Sequence, residues 1–165
     1  MKMRLLLICL LLLTSACGFH LRGSQLTTFD VANIYIHTAG APKLTTEVKS
    51  QLAGAGVMLA DSPQSASYVV TLKEEHFEKS VLSVNAATGK VEEYQILYLA
   101  RMDASHTNGK TIVEDDPVRS SRDLTFDENA VLGKFSEEEL LQEDIVRRAA
   151  SQVLRRLQAL LTANK

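Results

Sequence analysis

Histidines, paired acids and cysteines are the residues of this 165-residue chain whose chemistry could serve a reaction. The histidines, His20, His37, His76 and His106, are scattered and lack a metal-ligand spacing such as His-Glu-x-x-His. Asp115-Asp116 is a candidate carboxylate pair, but neighbours in a strand point to opposite faces. Directly before Pro117, a solvated turn is the better reading of those two acids. Glu74-Glu75 and His76 read as the wet edge of a long strand. No GxSxG, P-loop or GxGxxG motif occurs. The pattern predicts no catalytic centre, no metal and no cofactor.

The cysteines, Cys9 and Cys17, both lie in the first seventeen residues, so no disulfide framework can hold the body of the chain. Lys2 and Arg4 precede the apolar run Leu5 to Leu13, which is too short to span a bilayer and has the length of a secretory h-region. Thr14-Ser15-Ala16-Cys17 follows, and small residues ending on Cys after a leucine run resemble the bacterial lipobox. That resemblance implies cleavage before Cys17, a diacylglyceryl thioether on its sulfur and acylation of the new amine. Several acyl chains, at about 0.8 kcal/mol per buried CH₂, make a stable anchor. Gly18, where an Asp would imply inner-membrane retention, points to the outer membrane. Removing residues 1–16 takes away Lys2 and Arg4 and no acid, so 149 residues remain with 16 basic and 20 acidic groups, net −4. A lipid-anchored, mildly acidic domain facing the periplasm is expected.

The elements that must position any functional residue follow from periodicity. Hydrophobic content of 45% and a net charge of −2 argue against disorder and against a strongly basic nucleic-acid binder. Aromatics at 5% with no Trp argue against stacking surfaces for single-stranded nucleic acid. Val31, Ile34 and Ile36 predict a first strand over about 31–38, stopped by Gly40 and Pro42. Leu44, Val48, Leu52 and Ala55 form a helical stripe, with Gly56 placed as its C-terminal glycine. Tyr68 to Leu72 opens a strand reaching toward Asn85, where Asn85 to Lys90 forms a hairpin loop. Alternation around Tyr94, Ile96, Tyr98, Ala100 and Met102 marks the next strand, and Asn108-Gly109 a second hairpin. Thr111 to Val113 and a ragged strand through Phe126 follow, with Pro117 suited to an edge or a bulge. Ser136 and Glu139 read as a capping box for a last helix striped by Leu141, Ile145, Ala149, Val153, Leu157 and Leu160. The fold class is α+β, two helices packed on one face of a small, mostly antiparallel four-stranded sheet. Residues 1–16 form the signal, 17–30 the lipidated tether and 31–165 the domain.

Cys17-Gly18-Phe19-His20-Leu21-Arg22-Gly23 is similar to the Cys-Gly-aromatic-His-Leu-Arg start of the LptE family. Gln51-Leu52 with Gly56-Val57, then Glu93-Tyr94-Gln95, then Arg148-Ala149-Ala150 follow in the order that family shows. The resemblance implies a 1:1 complex with the outer-membrane barrel LptD, in whose lumen the domain sits as a plug, and delivery of lipopolysaccharide to the outer leaflet. It also implies two helices on a four-stranded sheet, no catalytic site, and basic residues facing lipid A phosphates. Lys134, in the loop before the last helix, matches one such position. In the hairpin the only base is Lys90, which departs from the family by lying beyond Gly89. Arg119 and Arg122 are neighbouring candidates, whereas Arg147, Arg148, Arg155 and Arg156 read as the wet face of the last helix. An accessory lipoprotein of an ABC-type envelope lipid transporter is the alternative, since such proteins also join a lipidated Cys to a small α+β domain.

Overall fold

The computed structural model describes residues 33–125 and 131–163. Cys17, the signal segment and the tether lie outside the described residues. The chain runs through β1 (Ile34–Ala39), α1 (Pro42–Gly54), a 3-10 turn (Pro63–Ser65), β2 (Tyr68–Val84), β3 (Val91–His106), β4 (Thr111–Thr125) and α2 (Val131–Ala163). The strands make one sheet in chain order. β1 pairs with β2 in parallel from Ile34↔Tyr68 to Ala39↔Lys73, with α1 as the crossover, and the other two pairings are antiparallel. The expected α+β architecture is present.

Pro42 opens α1 because its fixed φ suits the first helical position, and Leu44, Val48 and Leu52 are wholly buried along one stripe. The helix ends in a Schellman motif. Gly56, at φ +73°, donates to the Ala53 carbonyl (3.0 Å) and Val57 to the Leu52 carbonyl (3.0 Å). At the N-terminus Ala41 offers no side-chain cap. Instead the Glu75 carboxylate, reaching across from β2, accepts the Lys43 and Leu44 N–H groups at 2.9 Å each and the Tyr98 hydroxyl at 2.7 Å. The wet-edge reading of Glu74-Glu75-His76 therefore fails at Glu75.

The reason is a bulge. Lys73 pairs with Arg101 and His76 with Leu99, so Glu74 and Glu75 together oppose Ala100. The extra residue resets the alternation: Val70 and Leu72 face the helices before it, Glu75 and Phe77 after it. A second bulge lies in β4, where Glu114 and Asp115 oppose Asp103. Asp115-Asp116 is thus strand and not a solvated turn, and Pro117 sits on an edge strand next to the bulge.

α2 begins at Val131, five residues before Ser136, so the capping-box reading is corrected. An N-cap needs non-helical backbone, and Ser136 is already inside the helix. Leu132 and Phe135, three apart, carry the apolar period upstream and explain the earlier start. Ile145, Ala149, Val153 and Leu157 are fully buried as the stripe predicts, joined by Val146, Ala150, Leu154 and Leu161. The stripe is two residues wide because α2 packs on both the sheet and α1. The second contact is polar: Gln51 Nε2 donates to the Arg147 carbonyl (3.0 Å) and Ser151 Oγ to Gln51 Oε1 (2.9 Å). No helix among the described residues is long and apolar enough to cross a membrane.

Candidate functional site

The expected basic residues fall into two places. α2 runs antiparallel to β4, since Asp144 meets Arg122 at 2.9 Å and, twelve residues later, Arg156 meets Asp116 at 2.8 Å. The first turns of α2 therefore run toward the β2–β3 hairpin, where Glu138 meets Lys79 at 2.6 Å. Lys134 belongs to α2 and not to the preceding loop, which corrects its expected setting. At 1.5 Å per residue its backbone lies ~15 Å beyond Asp144 along the helix axis. Lys90 closes the hairpin at the same end of the sheet. Its carbonyl accepts from Asn85 N–H (2.7 Å), and Gly89 at φ +70° makes the turn that presents it. Beside it Val81, Leu82 and Val84 are 52%, 47% and 53% exposed. The hairpin end thus offers base and apolar side chains together.

Arg119 and Arg122 lie elsewhere. Arg122 faces the helices, and its Nε shares the Asp144 carboxylate with Arg148 (2.8 Å). Arg119, on the opposite face of β4, stands across from Leu99, eight positions along β3 from Val91. That is ~26 Å from the hairpin at 3.3 Å per residue, so Arg119 and Lys90 cannot touch one phosphate. Arg156 also departs from the wet-face reading, because it bonds Asp116 and the Pro117 carbonyl (2.6 Å).

The sheet face without helices carries a cluster that sequence reasoning missed. Lys73 Nζ lies 2.8 Å from Asp103 and 3.2 Å from Asp115, while Arg101 pairs with Asp115 and with Glu74 (3.2 Å). Hydrogen bonding from Lys73, with help from Arg101, holds the Asp115 carboxyl below its usual range, and Asp103 with Asp115 raises Lys73. On the covered side, burial pushes the Tyr98 phenol far up, with Glu75 adding to the shift, so it stays a donor. Another cavity, about 560 Å³, opens between α1 and α2 and is lined by Lys43, Glu47, Glu139, Glu143 and Arg147. Lys90, Arg119 and Arg122 are not in its lining.

Comparison with known proteins agrees with this architecture. The LptE family profile, described as Lipopolysaccharide-assembly, matches residues 26–157. The chain is 28% identical over 161 residues to the LPS-assembly lipoprotein LptE of Photorhabdus laumondii, covering 93% of this chain and 84% of that protein. Its fold is similar to the solution structure of lipoprotein B from Nitrosomonas europaea, with TM-score 0.74 and 22% identity over 88% of this chain and 94% of that one. It is also similar to rare lipoprotein B from Shewanella oneidensis, with TM-score 0.66 and 23% identity over 78% and 97%. With the match spanning α1, all four strands and α2 as far as Leu157, the chain belongs to the LptE family.

Proposed function

We propose that the chain is a non-catalytic subunit of the lipopolysaccharide translocon. In this reading it is held in the outer membrane by acyl chains on Cys17 and plugs and stabilises an LptD-type barrel in a 1:1 complex. It offers its hairpin end to lipopolysaccharide for insertion into the outer leaflet. A role in lipopolysaccharide assembly follows from membership of the family, and the Photorhabdus relative bears that role in its name. The observation that carries the finer reading is the hairpin end. Lys90 and the first turns of α2, which include Lys134, lie at one end of the sheet beside exposed Val81, Leu82 and Val84. Lipid A presents phosphates and acyl chains, which call for cationic donors and apolar surface respectively. Arg119 and Arg122 are left out of that phosphate site by their placement.

Extraction of the tagged protein from its native envelope in mild detergent, followed by mass spectrometry, tests the plug. A stoichiometric outer-membrane barrel is expected, whereas ABC-transporter components would favour the alternative. In the same preparation Lys134→Asp should lower bound lipopolysaccharide several-fold with barrel recovery unchanged. Unaltered lipopolysaccharide would remove Lys134 from the site.

A further inference from the structure

Asn108-Gly109, which turns β3 into β4, carries chemistry of its own. Both residues are exposed. Lys110 N–H donates to Asn108 Oδ1 at 3.0 Å, which draws the side-chain amide back over the Gly109 peptide. Gly109, at φ +86°, puts no Cβ beside its nitrogen to shield it from that amide carbon. Among the described residues Asn108 Nδ2 donates to nothing, so no bond holds it in place. One contact opposes reaction. Gly109 N–H donates to the His106 carbonyl (2.9 Å), and the nitrogen is free to attack only when that bond opens.

We propose that Asn108 is a site of spontaneous deamidation through a cyclic imide. The Gly109 nitrogen gives its proton to hydroxide and attacks Asn108 Cγ. Negative charge then gathers on Oδ1, where Lys110 N–H is already placed to receive it. The Cγ–Nδ2 bond breaks, and Nδ2 takes up a proton and leaves as ammonia. Water then opens the ring. Attack at Cγ gives aspartate, and attack at the Asn108 backbone carbonyl gives isoaspartate. Both products add a negative charge. Isoaspartate also routes the chain through Cβ and Cγ, and the added carbon disturbs the turn that aligns Ser105 with Thr111.

The other asparagines that the structure describes are guarded. Asn85 Oδ1 accepts the Ala87 and Thr88 N–H groups at 3.0 Å each, its Nδ2 donates to Glu92 at 2.8 Å, and Ala86 follows with a Cβ. Asn33 precedes the buried, β-branched Ile34 at the start of β1. The proposal stands apart from the plug reading.

The purified full-length lipoprotein tests it. Samples are held for weeks in mild detergent at neutral and at mildly alkaline pH, with a parallel sample in urea. Tryptic peptides Met102–Lys110 and Ser80–Lys90 are then compared with those of fresh protein by mass spectrometry. In the folded samples Met102–Lys110 should change from amide to acid about tenfold more than Ser80–Lys90, since Asn85 must also give up its bond to a charged acceptor. Conversion should rise with pH, and the product should include isoaspartate, detected by its isoaspartyl methyltransferase reaction. Asn108→Ser, which keeps an oxygen for Lys110 N–H, should leave the peptide unchanged at the wild-type thermal midpoint. Conversion no greater than that of Ser80–Lys90 overturns the proposal. So does conversion confined to urea, which would show that the folded turn forbids attack. Aspartate without isoaspartate overturns the cyclic route in favour of direct hydrolysis.

Discussion

Glu75 sits in a stretch that reads as solvated, yet its carboxylate ties α1, β2 and β3 together through three hydrogen bonds. Glu75→Ala strands two N–H groups at the helix start and the Tyr98 hydroxyl, and should lower stability by roughly 2–3 kcal/mol. Glu75→Gln keeps an acceptor and should lose about half as much, both read from urea midpoints. Asp115 carries a pH signature. Its folded value is depressed, so its contribution is present above the ordinary carboxylate value of about 4 and fades as pH falls through the lower folded one. The stability gap between wild type and Asp115→Asn should therefore be constant through neutral pH and close below about pH 4. Lys73, raised by the same contacts, keeps its charge throughout that range. The cluster could not be read from sequence because it depends on which face each residue takes. Face parity flips at Glu74 and Asp115, whose left-handed backbones leave no pattern in the residue types.

The helices and strands were far more legible, because burial imposes a period on the residues. Leu44, Val48 and Leu52 at spacing four, and the six-turn stripe of α2, are what a sheet-packed helix requires. Leu157, fully buried, should cost 2–5 kcal/mol as Leu157→Ala, while Leu140→Ala, at a residue 65% exposed, should stay within about 0.5 kcal/mol. Thermal unfolding of the two variants side by side checks the contrast. The start of α2 is not legible because Ser136 and Glu139 have cap chemistry, and only the continuing backbone shows that it goes unused. β4 looked like two pieces around Pro117. Its alternation is broken by the bulge at Asp115, and as an edge strand it tolerates the missing donor.

At the scale of the whole molecule, β2 and β3 outrun their cover. β1 pairs only as far as Lys73, so from His76 to Val84 the outer edge of β2 has no neighbouring strand among the described residues. Amides of Ser80 to Val84 should exchange with solvent orders of magnitude faster than those of Val70 to Leu72, as hydrogen-exchange mass spectrometry of the purified lipoprotein can measure. The expected basic contacts were legible as residue types but not as a site. Only the antiparallel course of α2 brings the Lys134 segment to Lys90's end, and only the β4 register separates Arg119 from Arg122. The order of strands has a consequence in time. Because β1, β2, β3 and β4 lie side by side in chain order, each can join its predecessor as the chain emerges N-terminus first. The sheet then waits with Ile96, Met102, Val118 and Leu124 bare until α2 arrives and seals them. The last thirty-odd residues thus complete folding, and a chain cut before them would be delivered as an open, sticky sheet, fit for proteolysis rather than assembly.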